Sequence, residues 1–290
     1  MFYRCLPHWI VLALALAMPQ ERTRGGDVAP ATPKAANAAA VADDPAAVEA
    51  FKKAGIYRFC ERDKDGNVVS ALLGGQIPFE KPESHRLRLR YYESLKGFPK
   101  LRKIETRTGN PNEQLDYIAD LDKLETLEIH NTELDNDGLA AIQGMAKLKR
   151  LSLNANYKVT DAGMEHLAAL KSLEDLDLSD THVRGTGLSW LKGLKNLKKL
   201  NPSGNKFGDA QIRYVTVFSN LEELDLSATL VTSDSLAQLS VLTRLKLLDV
   251  SSTVGTQAGA DELKKSLPNL KIILPQPPRR AQERKTRNNP

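Results

Sequence analysis

A leucine opens a similar motif at Leu101, Leu124, Leu148, Leu173, Leu197, Leu221, Leu245 and Leu270, at intervals of 23 to 25 residues. Each full unit reads Leu-x-x-Leu-x-Leu-x-x-Thr/Asn, as in the stretch from Leu221 through Leu224 and Leu226 to Thr229. The ninth position is Thr132, Asn156, Thr181, Asn205, Thr229 and Thr253 in successive units, with Gly109 the exception. A period of this length means one supersecondary unit per repeat, and no such unit can bury its apolar face without neighbours. Leu221, Leu224 and Leu226 predict a short strand whose inward side chains stack on the same positions one repeat away. Downstream, Leu188, Leu191 and Leu194 fall on one face of a short helix.

The position three before the first helical leucine is Asn112, Asn136, Asp161, Gly185, Asp209, Ser233 and Thr256 in successive units. Every one belongs to the set favoured at helix N-caps, so the column predicts a cap for each short helix. Strand, turn and helix therefore repeat. Pro202 breaks the pattern, standing where other units place an inward apolar residue. Proline cannot donate a ladder hydrogen bond, so one lost rung and a local kink are expected there.

Over roughly residues 68–274 this pattern resembles the leucine-rich-repeat family. Its Val-Thr-Asp-like turn and Gly-Leu-x-x-Leu-x-x-Leu helix look like the repeats of secreted bacterial proteins. The resemblance implies an α/β fold, a right-handed solenoid or horseshoe with a parallel sheet on the concave face and short helices on the convex one. It also implies binding rather than catalysis. A related flavour serves as the substrate receptor of F-box ubiquitin ligases, but no F-box segment is recognisable in this sequence.

The array spans residues 101–274 and is preceded by an N-terminal cap over 46–100. There, residues 46–54 suit a helix stopped by Gly55, and Ile56–Cys60 and Val68–Leu73 flank the hairpin turn signal Asp65-Gly66. Val68, Ala71 and Leu73 align with the first strand of the array. Residues 1–17 read as a signal peptide, with Arg4 ahead of an apolar run and small residues at Ala15 and Ala17. That run is short for a permanent span, and no other stretch is apolar enough to cross a membrane. The expected location is secreted, periplasmic or in the cell envelope, with an uncleaved N-terminal anchor as the alternative. Residues 18–45 are an Ala/Pro-rich linker, and 275–290 form a basic tail. The formal charge of +5 belongs mostly to that tail. Residues 276–290 carry five basic groups against Glu283, residues 1–45 balance four of each sign, and +1 is left for the body.

Little in the chain suggests chemistry. None of His8, His85, His130, His166 and His182 pairs with another at a metal-binding spacing. There is no nucleophile elbow and no phosphate-binding loop. The segment from Asp63 to Asn67 places its glycine too early for a calcium loop, and Gly74 stands where the final carboxylate would be. No catalytic residue, metal or cofactor is expected. Cys60 is expected to be a small structural residue, since Cys5 lies in the signal segment.

Binding is the function left to place. Outward strand positions include Glu105, Glu128, Ser152, Asp177, Asn201, Asp225 and Asp249, an acidic ladder on the concave face, with Arg107 and His130 beside it. Either this ladder recognises a polar or cationic partner, or it is the solvated outer face that any such sheet needs. On the convex side His166, Trp190 and Tyr214 share one helical position. They are either a stacking platform for sugars or rings that fill gaps between helices. A third feature is charge. Residues 81–107 carry a net +6 and residues 113–137 a net −8, with Arg86, Arg88 and Arg90 alternating with leucines before Tyr91 and Tyr92. The blocks either steer partners or neutralise one another; a secretion signal argues against nucleic acid. The expected partner is a protein or polysaccharide bound by a monomer. The other reading is a structural or assembly component of the envelope.

Overall fold

The structure is a computed structural model, and it describes residues 42–73, 89–107, 111–254 and 256–275. The signal segment, most of the linker, Arg86, Arg88, Gly109 and the basic tail lie outside the described residues.

Ten strands form one sheet in sequence order: β1 Cys60–Arg62, β2 Val68–Leu73, β3 Lys103–Thr106, β4 Thr126–Ile129, β5 Arg150–Ser152, β6 Asp175–Asp177, β7 Lys199–Asn201, β8 Glu223–Asp225, β9 Leu247–Asp249 and β10 Lys271–Ile273. Only β1 and β2 pair antiparallel; from β2 to β10 every pairing is parallel. The register stacks like on like, with Ile104, Leu127, Leu151, Leu176 and Leu200 in one row. That row is almost wholly buried, as a fixed period requires. The return segments are short helices, many of them 3-10, such as Gly138–Ile142 and Thr186–Gly193. Their apolar residues close one continuous core from Ala47 to Leu270.

The N-terminal cap begins with helix α1, Pro45–Lys53, which Gly55 ends with φ +69°. The last residues of the segment read from sequence as linker take part in this cap. Asp44 Oδ1 accepts from the Ala46 amide, and Asp43 Oδ2 accepts from the Val68 amide at 2.8 Å. The hairpin forms, but Tyr57–Phe59 make a 3-10 turn, so the strand expected from Ile56 starts at Cys60. Cys60 is buried, its thiol directed to the Ile56 carbonyl and pushed by burial to about 11. It is a structural residue. Tyr91 and Tyr92 are also buried, in a helical stretch over 89–94, so these two rings offer no exposed stacking face.

The cap column stands at the helix N-cap in two units, Gly185 and Thr256, neither with a side-chain cap bond, and does something else in others. The extended residue before the helix is one position earlier, at Thr160, Gly208 and Thr232, and Thr160 and Thr232 accept from the amide two residues on. Asn136, Asp161 and Asp209 instead reach into the next repeat. Asn136 Oδ1 accepts from the Thr160 amide at 2.9 Å, and Asp209 Oδ1 from the Thr232 amide at 2.8 Å. Asp161 accepts from three amides, those of Arg184, Gly185 and Gly187, at 2.8–3.2 Å. The column therefore ties repeat to repeat, a role that selects the same short acceptors as an N-cap would. Close approach explains the glycines that follow it. A Cβ on Gly187 would sit 2.5 Å from the Asp161 carbonyl oxygen.

The ninth position is a second tie. Asn156 Nδ2 donates to the Ile129 carbonyl of the preceding repeat at 2.7 Å and to Leu153 at 2.8 Å, while its Oδ1 accepts from the Thr132 amide and hydroxyl. Asn205 repeats the pattern on Leu178 and Pro202. Both amides are buried, so their hydrogen-bonding capacity has to be met within the protein.

Pro202 removes one rung. Leu153, Leu178, Leu226 and Val250 each donate their amide to the next strand, at 2.7–2.9 Å. Pro202 cannot, and β7 pairs with β8 at two positions where the neighbouring pairs have three. The ladder resumes at Gly204, whose amide reaches the Ser227 carbonyl at 3.1 Å.

Candidate functional site

The concave face is built from three rows of side chains. The row foreseen in sequence aligns as expected, with Glu105 opposite Glu128, Ser152 opposite Asp177, and Asp225 opposite Asp249. A parallel row two residues earlier was missed: Lys103, Thr126, Arg150, Asp175, Lys199, Glu223 and Leu247. Counting residue types at each strand position across the repeats would have revealed it.

That row changes the electrostatics of the N-terminal half. Lys103 lies 2.8 Å from Glu128 and 3.6 Å from Glu105, Arg107 2.6 Å from Glu105, and Arg150 2.9 Å from Glu128. Burial pushes the Glu128 carboxyl up, yet hydrogen bonds from Lys103 and Arg150 outweigh it and hold the group below its usual range. The acidic ladder is compensated there. Glu105, Glu128 and His130 bring possible ligand atoms within 4.8 Å of one another, but those carboxylates are engaged by Lys103, Arg107 and Arg150. A metal ion would have to displace ion pairs already made. The +6 and −8 blocks likewise meet each other, through Lys96 with Asp120, Arg102 with Glu125 and Lys103 with Glu128.

The C-terminal half is different. Asp175, Asp177, Glu223, Asp225 and Asp249 line one recess of about 280 Å³ together with Arg150, Lys199 and Asn201. Arg150 bonds Asp175, and Lys199 lies 2.8 Å from Glu223. Burial raises the Asp175 carboxyl despite Arg150 and Lys199 beside it. Asp177, Asp225 and Asp249 have no cation within ion-pair distance among the described residues. Each also has a structural duty, its Oδ1 accepting from the amide two residues on, Ser179, Ser227 or Ser251, at 2.8–3.0 Å. Asn201 does the same for Ser203 without a charge. The position demands a short side-chain acceptor; the charge is additional to that demand.

On the convex side the three rings stand on successive short helices without touching one another among the described residues. Ring contacts among the described residues join Phe51 to Tyr91 and Phe98, and Tyr157 to His182. None links His166, Trp190 and Tyr214. Tyr214 packs partly against the core with the Arg213 guanidinium 4.9 Å from its ring centre. Trp190 is 56% exposed, so it fills no gap.

A third surface, not foreseen, follows the concave strands. The residue after the ninth position is Glu133, Tyr157, His182, Lys206, Leu230 and Val254 in successive units, each of them exposed. The signal was a position that ranges from acidic through aromatic and basic to aliphatic across the repeats. Beneath Tyr157 and His182 lies a groove of about 650 Å³.

The leucine rich repeat model of protein families matches residues 122–183. The repeats it covers are leucine-rich repeats. No curated protein matches the chain. Among solved structures the chain is similar to an internalin C2 from Listeria monocytogenes, at 21% identity and TM-score 0.49, over 72% of this chain and 76% of that one. An internalin, inlF, from the same organism aligns at 19% identity and TM-score 0.49, over 71% of this chain and 60% of the other. The plant peptide hormone receptor RGFR1, solved in complex with RGF2, aligns at 16% identity and TM-score 0.42, over 74% of this chain and 32% of that chain. The chain thus spans under two thirds of the last two. No helix among the described residues is long and apolar enough to cross a membrane.

Proposed function

We propose that this chain is a non-catalytic, extracytoplasmic binding scaffold that takes a basic segment of a protein partner on the C-terminal half of its concave sheet. The observation that carries this reading is the contrast between the two halves. Carboxylates on β3 and β4 are matched by Lys103, Arg107 and Arg150, whereas Asp177, Asp225 and Asp249 have no cation in ion-pair reach among the described residues. Adjacent strands stand about 4.8 Å apart, so Asp225 and Asp249 hold their charges close together on a rigid surface. Rigid elements position contacts well, and a patch of one sign speeds encounter with a partner of the other. The extracytoplasmic location rests on the signal-like segment at residues 1–17, and a mature terminus near residue 18 in protein from the native host would support it.

The test keeps the fold and removes the charge. Asp177→Asn, Asp225→Asn and Asp249→Asn together retain the oxygen that accepts from the following serine amide, as Asn201 already does. Charge reversal would break those turns and confuse unfolding with lost binding. The wild-type chain should retain a partner from envelope extract in a salt-sensitive manner, and the triple variant should lose it at unchanged melting temperature. Retention of the same partner by both proteins would refute the concave assignment.

A further inference from the structure

The unit that starts at Leu148 has three steps from its ninth residue, Asn156, to the next buried apolar residue, Val159. The units on either side take two, from Thr132 to Leu134 and from Thr181 to Val183. The extra residue lies beside Tyr157, which is 56% exposed, at the rim of the groove of about 650 Å³. The groove is also lined by Asp180, His182, Arg184, Gly204 and Lys206. Tyr157 and His182 stand with ring centres 6.2 Å apart at 57°, forming one aromatic wall. Gly204, at φ +70°, has no side chain where other units carry one, and the Asp180 carboxylate occupies that place, 2.2 Å from where a Cβ would stand.

The charged groups divide sharply by availability. Asp161, also on the lining, has both oxygens taken by the amides of Arg184, Gly185 and Gly187. The Arg184 guanidinium and the Lys206 ammonium have neither an ion pair nor a side-chain hydrogen bond among the described residues. An aromatic face, two uncommitted cations, and a carboxylate and imidazole able to bond hydroxyls are what a ring with an anionic substituent would need. We propose that this groove binds an acidic saccharide, a polymer of carboxylated sugar units. One pyranose face stacks on Tyr157, and its carboxylate is held by Arg184 and Lys206. A flat apolar face and a charge on one ring distinguish this ligand from a simple anion, and charge-assisted hydrogen bonds would supply the specificity. The site does not rest on the concave reading and can stand or fall without it.

The experiment is isothermal titration of the full mature chain with an oligogalacturonate, beside its methyl-esterified form, inorganic sulfate and a poly-glutamate peptide. Saturable binding of the oligogalacturonate is expected, weakened at least tenfold by methyl esterification. Arg184→Gln with Lys206→Gln, and Tyr157→Ala, should each weaken it at least tenfold, while Tyr157→Phe retains it. All three positions are exposed, and unchanged melting temperatures verify that the fold survives. The concave Asp→Asn triple variant should bind as wild type does, which separates this site from that one. The proposal is overturned if the oligogalacturonate does not saturate at millimolar concentration, or if the ester binds equally well. Equal binding by Tyr157→Ala, or sulfate or poly-glutamate binding as tightly as the sugar, overturns it too, since a simple cationic patch would suffice.

Discussion

At the scale of single residues, the eighth position of the motif carries an unusual backbone. Asn131, Ala155, Asp180, Gly204, Ala228 and Ser252 all have φ between +50° and +70°. Only one is glycine, though a left-handed conformation costs other residues about 1–2 kcal/mol. Ala228 is exposed, so a change there touches no packing. Ala228→Gly should relieve the strain and give back part of the gain as chain entropy, about 0.5–1 kcal/mol. The expected net effect is stabilisation by roughly 0.5–1 kcal/mol, read from denaturant midpoints. A lower midpoint would show that the turn is not strained. Asp161 makes the opposite case. Removing its carboxylate leaves three amides of the next repeat without it, one exposed and two part-buried, and an unmet donor costs up to about 1–3 kcal/mol where water cannot reach it. Asp161→Ala should therefore destabilise by that amount, and Asp161→Asn by less. Equal damage from both substitutions would mean that charge, not acceptor geometry, is what the position supplies.

At the scale of elements, the hairpin of the N-terminal cap is held by a charge. Asp63 Oδ1 accepts from the amides of Asp65 and Asn67, and its Oδ2 lies 2.9 Å from Lys100. The Lys100 hydrogen bond, with those amides, holds the Asp63 carboxyl at about 2 against an ordinary 3.8. A depressed carboxyl stabilises the fold fully above its unfolded value and loses that stabilisation as pH falls through the folded one. Asp43 nearby is raised by burial and acts in the opposite sense, so the clean measure is a difference. The stability gap between wild type and Asp63→Asn should be constant above pH 4 and shrink as pH falls from about 4 to 2. A gap independent of pH over that window would remove Lys100 as its cause. Elements were the most legible level of this chain, because the leucine period forces strand stacking whatever occupies the other positions. The cap column was legible as residues and not as contacts, since an acceptor for its own helix and one for the next repeat look alike in one dimension. The same limit hid the cations of the concave face. Lys103 and Arg150 neutralise Glu128 only because the register sets three strands side by side, and no spacing along the chain shows that.

At the scale of the whole array, stability is close to a sum of units and the interfaces between neighbours, so one poor interface matters to everything beyond it. Two defects fall in successive units, on either side of β7. Gly185 has no side chain with which to hold the following repeat, and the Phe207 ring occupies its place, 2.4 Å from where a Cβ would stand. Pro202 then removes a rung between β7 and β8. Each junction around β7 therefore lacks one tie that other junctions have, although Asn205 and Asp209 still bridge them, and sub-global opening should begin there. In mild denaturant, amide exchange followed by mass spectrometry should show peptides from residues 221–275 losing protection together, ahead of those from 124–180. The reason is positional. Units before β7 are tied through Asn136, Asp161 and Asn156 and closed by the α1 cap, while those after it have Asp209 and Ser233 in the cap column and, at the ninth position, Thr229 and Thr253, whose hydroxyls bond carbonyls of their own repeats. Gly185→Ala is no remedy, because φ there is +101° and the Phe207 ring is in the way. Pro202→Leu restores the missing donor and the inward leucine of the motif, so it should narrow the difference between the two sets of peptides. If both sets exchange at one denaturant concentration in the wild-type chain, the interfaces around β7 are as strong as the rest and the array opens as a single unit.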